Sequence, residues 1–110
     1  MKPIPIVENS DNRRQLVDWN IEFACKSIKL LNFFSNAIVG DHFHQEKDEL
    51  FILVEGKIQE LMVGESKVTN INPPVAWLVK KGQYHKYLCD ESTKLICLST
   101  ESFNPKDDFK

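Results

Sequence analysis

The sequence has no apolar run approaching the roughly 18 residues that a membrane-spanning helix needs. Its first residues, Met1-Lys2-Pro3-Ile4-Pro5, lack the apolar core of a signal peptide. A cytoplasmic protein without membrane contact is expected. An excess of one charge is also missing. The chain carries 14 basic and 16 acidic side chains, a net charge of −2, and its only basic doublets are Arg13/Arg14 and Lys80/Lys81. Such a surface offers a polyanion no broad electrostatic footprint, so nucleic acid is not an expected partner. Cys25, Cys89 and Cys97 are odd in number and never spaced Cys-x-x-Cys, which argues against a disulfide framework and a thiolate zinc knuckle. All three are read as reduced. At 110 residues the chain can bury one core and not two, so residues 1–110 are read as a single domain.

Helical periodicity is almost absent. In its place, short stretches rich in Val, Ile, Leu and Phe alternate with turn residues. After a proline-containing arm (about residues 1–14), strands are expected over 15–19, 23–34, 37–44, 49–54, 57–63, 67–71, 75–79, 84–89 and 94–100. A bulge is expected near Leu30/Leu31, where alternation fails. Glu55-Gly56 reads as a tight turn, Asn72-Pro73-Pro74 as a strand end, and residues 101–110 as an irregular charged tail. About nine short strands without a fixed repeat suggest an antiparallel sandwich or small barrel.

All three histidines lie in two places, His42-Phe43-His44 and His85. Side chains two apart on a strand share a face, so His42 and His44 can aim at one point while Phe43 faces away. The polar stretch Gln45-Glu46-Lys47-Asp48 can reverse the chain and return Glu49 to the same pocket.

These residues resemble the first motif of the cupins, small β-barrels of jelly-roll type: Gly, five residues, His-x-His, three or four residues, Glu, six residues, Gly. Here Asn36 takes the first glycine position, followed by His42-x-His44, Glu49 and Gly56. The second motif is partly kept, with Gly82 and His85 in place and Pro74, Lys80 and Cys89 at positions the family fills differently. The resemblance spans residues 36–89 and implies an all-β jelly-roll barrel. It also implies that His42, His44, Glu49 and His85 converge on a divalent transition metal (Fe, Mn, Ni, Cu or Zn), with positions left open for water or ligand.

The leading expectation is therefore a metal-binding cupin that binds an oxygen-rich small molecule and acts on it by Lewis-acid isomerisation, decarboxylation or iron-dependent oxygenation. An alternative within the resemblance is a sugar-nucleotide isomerase or epimerase, in which histidines and a tyrosine move protons without metal. Against it stands the buried charge expected at Glu49, which needs a cation or a proton. A third reading is a non-catalytic binding or sensing module. Tyr87, sharing parity with His85, and Glu60 on the hairpin strand are candidate catalytic groups. Cys89 is a candidate pocket thiol, and Lys80/Lys81 a candidate steering pair for an anionic substrate. Exposed sheet edges and the proline-rich arm, able to add a strand to a neighbour's sheet, make a homodimer the expected assembly.

Overall fold

The computed structural model describes all 110 residues: ten strands and no helix. β1 (Ile6–Glu8) and β2 (Val17–Trp19) form a two-stranded hairpin. β3 (Ser27–Asn32), β10 (Lys94–Ser99), β5 (Glu49–Glu55) and β8 (Val75–Val79) form one antiparallel sheet in that order. β4 (Ala37–His42), β9 (His85–Cys89), β6 (Ile58–Val63) and β7 (Ser66–Ile71) form the other. From β3 to β10 the chain crosses repeatedly between the two sheets, the double Greek-key winding of a jelly roll. The all-β jelly-roll expectation holds.

Inward-facing residues of both sheets make the core, and alternation along each strand puts them there. Leu53, Ile58, Leu61, Trp77, Tyr87 and Leu95 are fully buried. Phe51 stacks on Trp77 at 5.8 Å, and Tyr87 stands edge-on to both, at 5.0 and 5.4 Å, a geometry that aromatic quadrupoles favour. The N-terminal arm meets the free edge of the β3-β10-β5-β8 sheet, where the Ile4 N–H donates to the Ala76 carbonyl of β8 at 2.8 Å. The tail returns to the opposite end of the strands, and Phe109 exchanges backbone hydrogen bonds with Phe43 at 2.8 and 3.1 Å.

Two local expectations change. β3 is shorter than the expected 23–34 and keeps its register throughout, so no bulge lies at Leu30/Leu31. Leu31 packs toward the core while Leu30 is exposed on the other face. Alternation fails there because both faces of this sheet are apolar. The register break that matters lies between Gly40 and His42, where Gly40 (φ 83°) and Asp41 (φ 64°) take left-handed conformations and end β4 two residues early.

Candidate functional site

The bulge re-aims His42, which becomes the cross-strand partner of His85 on β9. Gly40 is required by space as well as by φ, since a Cβ there would stand 2.7 Å from the His85 ring and carbonyl. His44 follows two residues on, held by the turn at Gly82, whose N–H donates to the His44 carbonyl at 2.7 Å. Glu49 opens β5 in the facing sheet. The three imidazoles converge, with ring centroids 4.4 Å (His42–His44), 4.6 Å (His42–His85) and 5.7 Å (His44–His85) apart. They and Glu49 line a cavity of about 180 Å³ walled also by Lys29, Lys47, Cys97 and, from the tail, Phe103, Asn104, Pro105, Asp107 and Asp108.

The three rings are not equivalent. His42 Nδ1 lies 2.9 Å from an Asp108 carboxylate oxygen. Burial and the neighbouring His44 still push its pKa below the ordinary value, against the pull of Asp108. His42 is therefore a neutral ring at pH 7, whose Nδ1–H is taken by Asp108 and whose Nε2 lone pair is free. His44 is the reverse. Its Nδ1 meets the Asp107 backbone carbonyl, and its Nε2 lies 3.2 Å from Glu49 Oε1. Burial disfavours its charge, but Glu49 and that carbonyl outweigh burial and raise its pKa. With an acceptor facing each nitrogen, the doubly protonated form of His44 is favoured. His85 is almost fully buried, and burial drives its pKa to about 4 despite Glu49, leaving it neutral.

Glu49 is itself buried, which would raise its pKa. The His44 ring, the Cys97 thiol donating at 3.1 Å and His85 together hold it at about 2. The Lys47 ammonium stands 3.9 Å from its other oxygen. Two buried polar atoms of cavity-lining residues have no aligned hydrogen-bond partner, Glu49 Oε1 and His85 Nδ1.

The other sequence candidates lie away from this cavity. Tyr87 is sealed in the core, where its oxygen accepts from the Trp77 indole N–H at 2.9 Å. Glu60 pairs with Lys67 at 2.9 Å across the outer face of the second sheet. Cys89 is core filling. Lys80 and Lys81 sit on an exposed turn, with the Lys81 N–H donating to Asp48 at 2.9 Å. Sequence reasoning missed Asp107, Asp108, Lys47 and Cys97. Cys97 alone had a local signal, since its strand parity matches that of the inward Leu95.

No family model matches the sequence, and no curated protein is detectably similar. Solved structures do match in fold. A 3,4-ketoisomerase from Helicobacter canadensis is 21% identical, over 98% of this chain and 88% of that one, with a TM-score of 0.81. The WlaRB TDP-quinovose 3,4-ketoisomerase from Campylobacter jejuni is 18% identical, over 98% and 90%, with a TM-score of 0.83. A mutant of the 3,4-ketoisomerase QdtA from Thermoanaerobacterium thermosaccharolyticum, in complex with TDP-4-keto-6-deoxyglucose, is 16% identical, over 98% and 85%, with a TM-score of 0.79.

These findings overturn the expectation of a metal-dependent cupin with a divalent ion on His42, His44, Glu49 and His85. The similar structures are sugar isomerases, the group set against the metal reading above. The donor set agrees with them. Both nitrogens of His44 are already engaged, by the Asp107 carbonyl and by Glu49, which favours the protonated ring over the lone pair that a ligand must offer. The charge on Glu49, which had seemed to demand a cation, is answered by His44, Lys47 and the Cys97 thiol.

Proposed function

We propose that the chain is a nucleotide-sugar ketoisomerase that moves a carbonyl between C4 and C3 of a TDP-linked 4-keto-6-deoxyhexose by histidine acid–base chemistry. One observation carries the reading: a neutral imidazole oriented by a carboxylate, His42–Asp108, stands beside an imidazolium, His44, in the wall of one cavity. This places a general base next to a positive charge, the pair that enolisation beside a ketone needs. The fold likeness to three sugar 3,4-ketoisomerases supports the same class.

In this reading His42 Nε2 takes the proton from C3, and the C–H electrons form the C3–C4 double bond as the C4 carbonyl becomes an enediolate. The His44 imidazolium stabilises that oxyanion. Return of a proton to C4 and transfer of the O3 proton to O4 leave the ketone at C3 and a hydroxyl at C4, with no net oxidation. Glu49 Oε1, 3.2 Å from His44 Nε2, favours the charged form of that ring. A cavity of about 180 Å³ suits one sugar ring, with the nucleotide toward the mouth.

The test is proton NMR of TDP-4-keto-6-deoxyglucose with the chain in D2O. Formation of the 3-keto isomer with deuterium at C4, unaffected by EDTA and lowered at least about 100-fold by His42→Asn, is expected from loss of a general base. Absence of both isomerisation and exchange overturns the reading.

A further inference from the structure

Of the four residues that turn the chain between His44 and β5, Gln45 and Glu46 are exposed and Asp48 is half-buried, while the Lys47 side chain is only 7% exposed. A buried ammonium gives up its water and needs acceptors in exchange. Lys47 Nζ has none at hydrogen-bond distance in the protein. Glu49 Oε2, the carboxylate oxygen it approaches, stands 3.9 Å away and already accepts from the Cys97 thiol at 3.1 Å. The three N–H donors of Lys47 are left to the cavity that this residue helps to wall. The turn beneath them is pinned at both ends. Asp107 accepts from the Gln45 and Glu46 N–H groups at 2.8 and 3.2 Å, and the Asp48 N–H donates to the Thr100 hydroxyl at 3.0 Å.

The chemistry in the cavity is short of such donors. Both nitrogens of His44 are engaged, by the Asp107 carbonyl and by Glu49, so its charge reaches an oxyanion through space and not through a free N–H. Lys29, the other lysine of the wall, is exposed, and its ammonium lies over the Phe103 ring at 5.2 Å. We propose that Lys47 is a further catalytic residue, the hydrogen-bond donor to O4 of the enediolate. The inference rests on the ketoisomerase reading above. As His42 removes the C3 proton, the C–H electrons form the C3–C4 double bond and the carbonyl π electrons move onto O4. A Lys47 N–H meets that oxygen, and the ammonium keeps its protons throughout. A donor held ready for charge that develops only in the transition state lowers the barrier more than it tightens substrate binding.

The test is steady-state kinetics with TDP-4-keto-6-deoxyglucose as a function of pH. Lys47→Met and Lys47→Gln, with circular dichroism spectra like that of the wild type, are expected to lower kcat on the pH plateau by about 100-fold and to leave KM within about threefold. Lys80→Met, on an exposed turn, should match the wild type. A lysine that only balances the charge of Glu49 gives a different result. Its loss lets His44 keep its proton to higher pH, which moves the falling limb and leaves the plateau kcat in place. One measurement needs no variant: in NMR spectra of the wild-type chain, the Lys47 ammonium signal is expected to shift when the nucleotide sugar is added. A wild type that does not isomerise the sugar overturns the ketoisomerase reading and this inference with it. A wild type that does, with the plateau kcat unchanged in the Lys47 variants or with a Lys47 signal that does not move, overturns this inference alone.

Discussion

At the scale of single residues, the site separates protons that would otherwise be equivalent. Base catalysis needs His42 neutral, and oxyanion stabilisation needs His44 charged. His42 sits below the ordinary histidine value and His44 above it, so a window exists in which both hold. The rate is expected to rise with pH through a limb below 6.5, as His42 loses its proton, and to fall through a limb above 6.5, as His44 loses its own. A rate profile over pH 4 to 10, with histidine resonances followed by NMR, checks both limbs. Glu49→Gln should shift the falling limb to lower pH, because the ring then loses the anion that holds its proton.

Stability carries the same signature. Glu49 titrates at about 2 in the folded chain against 4.5 as its ordinary value, so its contribution is full above 4.5 and lost as pH falls through 2. His85, at about 4 against 6.5, is charged more readily in the unfolded chain, so acid erodes stability from 6.5 down to 4. Each shift corresponds to about 3 kcal/mol. Urea unfolding between pH 7 and pH 3 is expected to show a continuous fall. A flat midpoint across that range contradicts the assignment of His85 as a neutral buried ring.

At the scale of elements, β4 and its bulge decide whether the histidines meet. Gly40→Ala puts a Cβ 2.7 Å from the His85 carbonyl and forces an alanine to φ 83°. The expected cost is about 2–3 kcal/mol, roughly a 10 °C fall in Tm for a chain of this size, with His85 displaced and activity lost. Gly82→Ala has the same backbone strain at φ 80° but nothing within 4 Å of the added Cβ. It should lose less. Comparing the two variants by calorimetry isolates the steric part.

The strands themselves were legible because burial on one face leaves a period of two in the sequence. β8, expected at 75–79, is found at Val75–Val79, and β5 and β10 differ from expectation by one residue. β3 misled where the pattern carried two meanings, since apolar residues on successive positions read as a bulge when they mark a second apolar face. The shared aim of His42 and His44 was legible from spacing, and their meeting with His85 from the resemblance to the cupin motifs. Their protonation was not, because it depends on Asp107 and Asp108, more than 60 residues away in a tail with no periodicity. Tyr87 shows the limit of parity: it faces inward like His85, but two residues further along β9 that means the sealed core.

At the scale of the whole molecule, the tail completes the site without belonging to the core. None of residues 101–110 joins the buried apolar cluster between the sheets. Asp107 is nonetheless buried, and its carboxylate accepts the N–H groups of Gln45 at 2.8 Å and Glu46 at 3.2 Å while its carbonyl meets His44. Asp108 orients His42, and Phe109 stacks on Phe43 at 5.5 Å. A chain ending at Thr100 is therefore expected to keep its strands and lose about 2–3 kcal/mol, mainly from the amides that Asp107 satisfies. Turnover should fall by at least about 100-fold, because His42 loses its orienting carboxylate. Asp108→Asn separates the two effects: an amide in place of the carboxylate no longer fixes the productive tautomer, so turnover should drop with Tm nearly unchanged. If Asp108→Asn instead leaves the rate intact while truncation abolishes it, the tail acts by closing the cavity and the base is a group other than His42.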